Sequence, residues 1–324
     1  MPPSINYDSP GELKAFLKGH GMGMLKRYGQ NFLINPAARL HLLDALELQR
    51  GDEVWEIGPG LGAMTAGLLE RGGQVTAFEI DRAFAGVLLE LFAGEGTPSE
   101  PTGRTPNEPS FRLIEGDVLK TWQHVDAAGK EPILFGNLPY NIAAALLADF
   151  IEKGRFFRRM VVTVQREVAS RMAALPGSPE YSSFSVLCSS VYKVTPLKVI
   201  KSSSFYPAPK VDSQGVRLDL FSGQNALPKL FHPLVRALFS SRRKTIRNTL
   251  STFSASVIIN SAKDNISVKA FVNDTVASKV IAKDLTAEVL RRSNISGERR
   301  PETLGIDDFT ALAALLEEVV ANRP

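Results

Sequence analysis

The chain has 324 residues, 44% hydrophobic and 22% charged, with a formal net charge of +4, the balance of a globular protein long enough for two domains. A single cysteine excludes an internal disulfide and a thiolate zinc cluster, and the histidines at positions 20, 41, 124 and 232 are too scattered for a metal set or a histidine-based triad. No apolar run has the length of a membrane span and the opening residues lack the block of a secretory signal, so a cytoplasmic protein with no membrane contact and no metal is expected.

Residues 1–23, with Gly and Pro throughout and no sustained period, read as a flexible arm, with order beginning near Met24. Asn35-Pro36 supplies a cap and first turn for a helix running towards Leu48. Glu53 to Ile57 reads as a short strand, followed by Gly58-Pro59-Gly60-Leu61-Gly62 and a helical segment from Ala63 to Arg71. Strand, glycine turn and helix in that order is the arrangement of nucleotide-binding α/β proteins. A second strand, Gln74 to Phe78, closes on Glu79, an acid about twenty residues past the glycine turn, where such folds hold a ribose by its hydroxyls. The G-x-G-x-G spacing departs from the G-x-G-x-x-G that brings backbone up to a pyrophosphate. It favours a ligand with a ribose but no diphosphate, for which S-adenosylmethionine is the candidate; the plainer alternative is that Gly58 and Gly60 serve only a tight turn.

The run of Gly and Pro over 94–110 reads as a surface insertion. A third strand from Phe111 ends towards Asp117, which is either an ordinary turn aspartate or an acceptor for an adenine amino group. Pro132 to Phe135 makes a fourth strand and delivers Asn137 to the same carboxyl edge as Gly58, Glu79 and Asp117, the edge where open α/β sheets bind ligands. In Phe135-Gly136-Asn137-Leu138-Pro139-Tyr140-Asn141, Asn137 offers a neutral acceptor oxygen, Leu138 a carbonyl directed by Pro139, and Tyr140 a stacking surface. That combination suits the edge and face of a nucleobase, although a proline turn between strand and helix is also ordinary punctuation.

A helix from Ile142 to Glu152, a fifth strand from Met160 to Gln165 and a helix from Arg166 to Ala174 follow. Phe184 to Lys193, with Cys188 as a buried strand residue, Lys198 to Lys201 and Gln214 to Phe221 read as an antiparallel end to a parallel sheet. Between the last two, Phe205-Tyr206 held by Pro207 and Pro209 would make a rigid wall for a base. Beyond Ser222-Gly223 the alternation stops. Helical spacing marks Leu230 to Ser241, Thr245 to Phe253 and a final amphipathic helix after Asp307-Asp308, with short helices expected between 254 and 303. From Leu220 to Lys263 there is no Asp or Glu, while Arg242, Arg243, Lys244 and Arg247 fall together on or beside a predicted helix. Such a one-sign stretch is either a solvated face or a surface for a polyanion.

With Gly29-Gln30-Asn31-Phe32-Leu33, Glu56-Ile57-Gly58-Pro59-Gly60-Leu61-Gly62, Gly136-Asn137-Leu138-Pro139-Tyr140-Asn141-Ile142, Phe205-Tyr206-Pro207-Ala208-Pro209-Lys210-Val211-Asp212-Ser213 and Arg242-Arg243-Lys244-Thr245-Ile246-Arg247-Asn248 in order, the chain resembles the small-subunit ribosomal RNA adenine dimethyltransferases, the KsgA-like family. The resemblance implies a Rossmann-like class I methyltransferase domain over 24–222, a helical RNA-binding domain over 223–324, and S-adenosylmethionine as donor. Its acceptors would be two adjacent adenosines near the 3′ end of 16S ribosomal RNA, in the small subunit or its precursor, and a monomer is expected. It places Asn31 and Leu33 at the donor's methionine end, Gly58 beneath the donor, Glu79 on the ribose, Asp117 on the adenine and Asn137 between donor and acceptor. Leu61, Leu138 and Val211-Asp212-Ser213 favour this family over the related erythromycin-resistance methyltransferases. Ala143-Ala144, Ala208 and Gln214-Gly215 depart from its usual pattern beside the acceptor pocket. Readings from other classes are an RNA-binding or transcription factor on a retired methyltransferase scaffold, which intact Glu79, Asp117 and Asn137 argue against, and a DNA adenine methyltransferase.

Overall fold

The structure, a computed structural model, describes residues 5–22, 30–92, 110–125, 131–138, 142–222, 227–241, 243–261 and 275–322. The expected insertion, apart from Ser110, lies outside these residues, as do Pro139, Tyr140 and Arg242. The chain divides into two units, one of Met1–Ser170 with Tyr192–Phe221 and one of Arg171–Val191 with Ser222–Pro324.

The first unit holds a seven-stranded sheet. Its strands are β2 (Glu53–Ile57), β3 (Gln74–Glu79), β4 (Ser110–Glu115), β5 (Ile133–Asn137), β6 (Arg159–Gln165), β7 (Tyr192–Ile200) and β9 (Ser213–Leu220), in the order β4-β3-β2-β5-β6-β9-β7. The β2–β6 set is parallel throughout; β9 runs antiparallel to both β6 and β7. A separate two-residue ladder pairs β1 (Phe32–Leu33) with β8 (Phe205–Tyr206). The parallel strands read as nearly continuous buried runs because helices cover them. Those helices are α2 (Pro36–Ala45), α3 (Ala63–Glu70), α4 (Arg82–Phe92), the single turn α5 (Val118–Thr121), α6 (Ala143–Glu152) and α7 (Arg166–Met172), the last of which crosses the division between the units. Side chains alternate across β2. Val54 joins Leu43, Leu46 and Leu68 in one core, whereas Trp55 packs at 5.1 Å from the Phe78 ring and 5.4 Å from the Phe157 ring.

Order does not begin near Met24. Helix α1 (Pro10–Gly19) forms within the stretch expected to be an arm, and buries Leu13 and Leu17 against Leu61, Phe84 and Val87. The local signals are Ser9, whose hydroxyl accepts from Glu12 N at 3.3 Å, and Pro10 in the first turn. A helix this short is not stable through propensity. Two buried leucines, each contributing roughly 1.5–3 kcal/mol, hold it in place.

The second unit is helical: α8 (Ser183–Val191), α9 (Phe231–Phe239), α10 (Ile246–Ser261), α11 (Thr275–Ser293) and α12 (Ile306–Ala321). Its core gathers Val186, Phe231, Leu234, Leu250, Leu285 and Phe309. Two expectations fail here. Phe184 to Val191 is a helix rather than a strand, and Cys188 is buried in it, its thiol pushed above the usual range by burial. The run is buried almost all round, Ser185 and Ser190 included, so it carries no clear polar-apolar period to separate the two readings. The hydroxyls of Ser189 and Ser190 turn back onto the carbonyls of Ser185 at 2.6 Å and Leu187 at 2.8 Å. Among the described residues of 254–303, the end of α10 and the long α11 replace the expected short helices up to Ser293, and only a single 3-10 turn, Pro301–Thr303, follows; 262–274 lie outside the described residues. The packed faces of α10 and α11 include small polar groups, with the Ser254 and Thr286 hydroxyls buried 3.5 Å apart, and this hid the apolar stripe.

Candidate active site

The carboxyl ends of the parallel strands converge because their registers align: Ile57 lies opposite Phe78 and Gly136, and Glu79 opposite Glu115. Strand order reverses between β2 and β5, which opens a crevice at that point. A cleft partly open to solvent occupies it, and Asn31, Leu33, Gly58, Gly60, Glu79, Asp117, Asn137 and Leu138 all line it.

After β2 the chain turns through Gly58, Gly60 and Gly62 at φ of 69°, 59° and 87°, a region that L side chains enter at a cost. The three differ in what a side chain would meet. A Cβ on Gly62 would stand 2.4 Å from the Phe92 ring and one on Gly60 3.1 Å from Phe32, whereas one on Gly58 would meet nothing. Gly62 is therefore constrained by packing, and Gly58 keeps the cleft floor bare.

Glu79 is 4% exposed. Oε2 accepts from Gly60 N at 3.2 Å and Oε1 from Asp81 N at 2.8 Å, which ties the end of β3 to the glycine turn. Burial pushes its pKa up to about 7 against the lowering effect of these bonds. Glu56, which the motif reading treated only as strand, is the buried carboxyl of β2. It accepts from the Thr65 hydroxyl at 2.7 Å, and burial first, then the neighbouring Glu79, raise it to about 8. Asp117 caps α5, with Oδ1 accepting from Leu119 N at 3.1 Å. The second oxygen can serve the cleft.

Asn137 Nδ2 donates to the Asn31 carbonyl at 3.0 Å. That bond assigns the amide: the donor end is engaged and Oδ1 remains an acceptor. Leu138 N donates to Thr163 O at 3.1 Å, and the Leu138 side chain occupies the space beside Gly136, where a Cβ would meet it at 2.6 Å. Leu33 reaches the site through β1, its carbonyl accepting from Arg39 Nη1 at 2.8 Å. Phe205 does not line the cleft, contrary to expectation. In the β1–β8 ladder it lies opposite Leu33, and both face the core, leaving Phe205 3% exposed. Tyr206, opposite Phe32, takes the half-buried position. Two cleft residues, Tyr7 and Leu13, come from the α1 region. Motif spacing missed them, although Ser9-Pro10-Gly11-Glu12 carries the start signal of the helix that brings them.

In the second unit α10 starts at Ile246, so Arg243 and Lys244 stand exposed in the preceding turn and only Arg247 is helical. These side chains therefore do not form one helical face. Arg247 also has an acidic neighbour distant in sequence, donating from Nε to Glu298 Oε1 at 3.1 Å. Among the described residues no three His, Cys, Asp or Glu side chains cluster as a metal site, and no helix is long and apolar enough to cross a membrane.

A sheet of this order, with a glycine turn after its central strand and an acid ending the next, defines a Rossmann-like class I methyltransferase. A family model described as ribosomal RNA adenine dimethylase matches residues 23–289. The ribosomal RNA small subunit methyltransferase A of Treponema denticola is 42% identical over 96% of both chains, and that of Bacillus pumilus 31% identical over 96% of this chain and 98% of its own. Among solved structures, a dimethyladenosine transferase from Plasmodium falciparum covers 88% of this chain and 96% of its own at TM-score 0.68 and 26% identity. The 23S rRNA methyltransferase ErmE shares the fold at TM-score 0.53 and 18% identity, covering 88% of this chain and 99% of its own. The chain belongs to the ribosomal RNA adenine dimethylase family. It is an S-adenosylmethionine-dependent methyltransferase acting on adenine in ribosomal RNA.

The cleft suits that donor on its own terms. Its described lining carries three carboxyls, Glu56, Glu79 and Asp117, and no Lys or Arg. A phosphate would find no cationic partner there, whereas a hydroxyl-rich nucleoside bearing positive charge is matched.

Proposed function

We propose that this protein dimethylates the exocyclic amino groups of two adjacent adenosines near the 3′ end of 16S ribosomal RNA, in the small subunit or its precursor, acting as a monomer in the cytoplasm. The observation that carries the catalytic reading is the orientation of Asn137, a cleft residue whose Nδ2 is held by the Asn31 carbonyl so that Oδ1 is left as the acceptor. Support for the substrate comes from the small-subunit methyltransferases that the chain resembles over almost its whole length.

In this reading Glu79 accepts from the donor's ribose hydroxyls, Asp117 from its adenine amino group, Gly58 and Gly60 lie beneath it, and Asn31 and Leu33 border its methionine end. The bound donor supplies an electrophilic methyl group on a sulfonium. The rest is the work of the chain. An adenine amino nitrogen is a weak nucleophile because its lone pair is delocalised into the ring. Two acceptors, Asn137 Oδ1 and the Leu138 carbonyl, draw its hydrogens out of the ring plane and turn the lone pair towards the methyl group. No base is needed before attack, since the nitrogen becomes acidic only as its new bond forms. Pro139 directs the Leu138 carbonyl and Tyr140 stacks on the base, both roles taken from the motif, and the packing of Phe205 leaves that stacking to Tyr140. Arg242, Arg243, Lys244 and Arg247 contact RNA phosphates from the helical unit.

Asn137→Ala tests the reading. It is expected to lower the single-turnover methylation rate of 16S RNA at saturating donor by about a hundredfold or more while RNA affinity changes by less than about threefold. Equal losses in rate and affinity would reduce Asn137 to a binding contact. Mass spectrometry of 16S RNA from cells lacking the gene is expected to show two adjacent unmodified adenosines.

A further inference from the structure

Asp81, two residues past Glu79, is 7% exposed and divides its carboxylate between two tasks. Oδ1 accepts from Ala83 N at 3.0 Å and so caps the start of α4, while Oδ2 accepts from Gln30 Nε2 at 2.9 Å. Capping needs one oxygen only, and a serine or an asparagine supplies it as well as an aspartate does. The second oxygen reaches 51 residues back along the chain, to a half-buried side chain that lines the cleft. Gln30 is followed by Asn31, whose carbonyl holds Asn137 Nδ2 at 3.0 Å, and then by β1, where Phe32 pairs with Tyr206. Asn31 is thus pinned on both sides, by the ladder after it and by the Gln30 side chain before it.

Chemistry fixes the sense of each bond. A carboxylate and a carbonyl only accept, so Gln30 turns Nε2 towards Asp81 and Asn137 turns Nδ2 towards Asn31. An asparagine amide that loses its carbonyl partner turns over at little cost and then offers N–H bonds where the base needs an acceptor. Whatever holds the Asn31 carbonyl therefore also selects the reactive end of Asn137. We propose that Gln30 and Asp81 are a positioning pair for methyl transfer: Asp81 anchors the Gln30 side chain, which fixes the Asn31 carbonyl and keeps Asn137 Oδ1 turned to the amino group of the base. This rests on the catalytic reading of Asn137 given above, and both residues act through Asn31 rather than on the reacting atoms. Asp81 N and Gly60 N are both held by the Glu79 carboxyl, so the turn assigned to the donor's ribose is also the one from which the catalytic amide is aimed.

The test measures single-turnover methylation of 16S RNA at saturating donor, alongside calorimetric affinity for S-adenosylhomocysteine, on the full chain. Gln30→Met keeps the length of the side chain and removes its amide. Asp81→Ser keeps a cap for α4 and withdraws the oxygen from Gln30. Each is expected to lower the rate about fivefold to twentyfold, with S-adenosylhomocysteine and RNA affinities within about threefold of wild type, and the double variant should lose no more than either alone. On an Asn137→Ala background Gln30→Met is expected to cost nothing further, because the amide it aims is gone. Rate losses that multiply in the double variant, or that persist on the Asn137→Ala background, would overturn the assignment. So would losses matched by weaker donor binding, or an unchanged rate in Gln30→Met, which leaves α4 untouched and decides the matter if Asp81→Ser unfolds. Should Asn137→Ala itself lose no more rate than RNA affinity, the catalytic reading falls and this assignment with it; a slow Asn137→Ala beside a fully active Gln30→Met would overturn the positioning pair alone.

Discussion

Glu56 and Glu79 end adjacent parallel strands with little water around either, and their protonation is a property of that geometry. Both carry pKa values above the carboxylate range, about 8 and about 7, with burial the largest cause. In the free protein each therefore binds a proton that the unfolded chain has released, so the stability they contribute is full below about pH 4.5 and is lost as pH rises through about 7 and 8. A cationic donor favours the ionised forms. Donor affinity is expected to rise with pH between about 6 and 8, with protons released on binding, measurable by calorimetry in two buffers of different ionisation enthalpy. Glu79→Ala is expected to weaken donor binding by about 1.5–3 kcal/mol and to flatten the lower part of that rise. Unchanged affinity in the folded variant would remove Glu79 from the ribose. The sequence revealed Glu79 because its distance from the glycine turn is itself the signal. Glu56 was hidden within a strand pattern, and the inward face of Phe205 depends on pairing with Leu33, a register that local sequence does not encode.

At the level of elements, the glycine turn separates packing from binding. Gly62→Ala sets a methyl 2.4 Å from the Phe92 ring at a φ of 87°, and is expected to cost about 2–4 kcal/mol of stability through left-handed strain and overpacking. Gly58→Ala meets no neighbour at φ 69°, so only about 1–2 kcal/mol of stability should go, while donor affinity falls because the methyl projects into the ligand's space. Urea unfolding and calorimetry on the two variants should give opposite rankings; the same ranking in both would deny Gly58 its place beneath the donor. Elements with a period or a cap were legible before the structure: β2 to β6, α2 behind Asn35-Pro36, and α12, whose first turn takes in the Asp307-Asp308 expected to precede it. The failures were α1, held by long-range packing, α8, buried almost all round with serines among its apolar residues, and α10 with α11, whose contact mixes hydroxyls with leucines.

For the whole molecule, composition and motif order were enough for a two-part chain with a parallel sheet, but not for the path between the parts. The proposed RNA contacts belong to the helical unit, and Arg243 and Lys244 stand exposed in the turn before α10. Changing both to Gln is expected to weaken RNA binding and make the salt dependence shallower by about 0.7 per lost single-strand contact, leaving donor affinity unchanged. Parallel salt titrations for wild type and variant would exclude the pair from the footprint. Arg247 should contribute less, since Glu298 already engages it. The helical unit is also discontinuous along the chain, taking Arg171–Val191 as well as everything from Ser222 onward. Tyr181, in the earlier piece, donates its hydroxyl to Leu304 O at 2.9 Å, and Gly177 N donates to Glu302 O at 2.7 Å. A single genetic crossover at Ser222 would therefore graft onto a foreign partner a body stripped of Tyr181 and α8, with Phe239, whose ring lies 5.8 Å from that of Tyr181, left facing a breach. Only an exchange carrying both pieces transfers the unit intact, so recombination among such enzymes should preserve them as a linked pair.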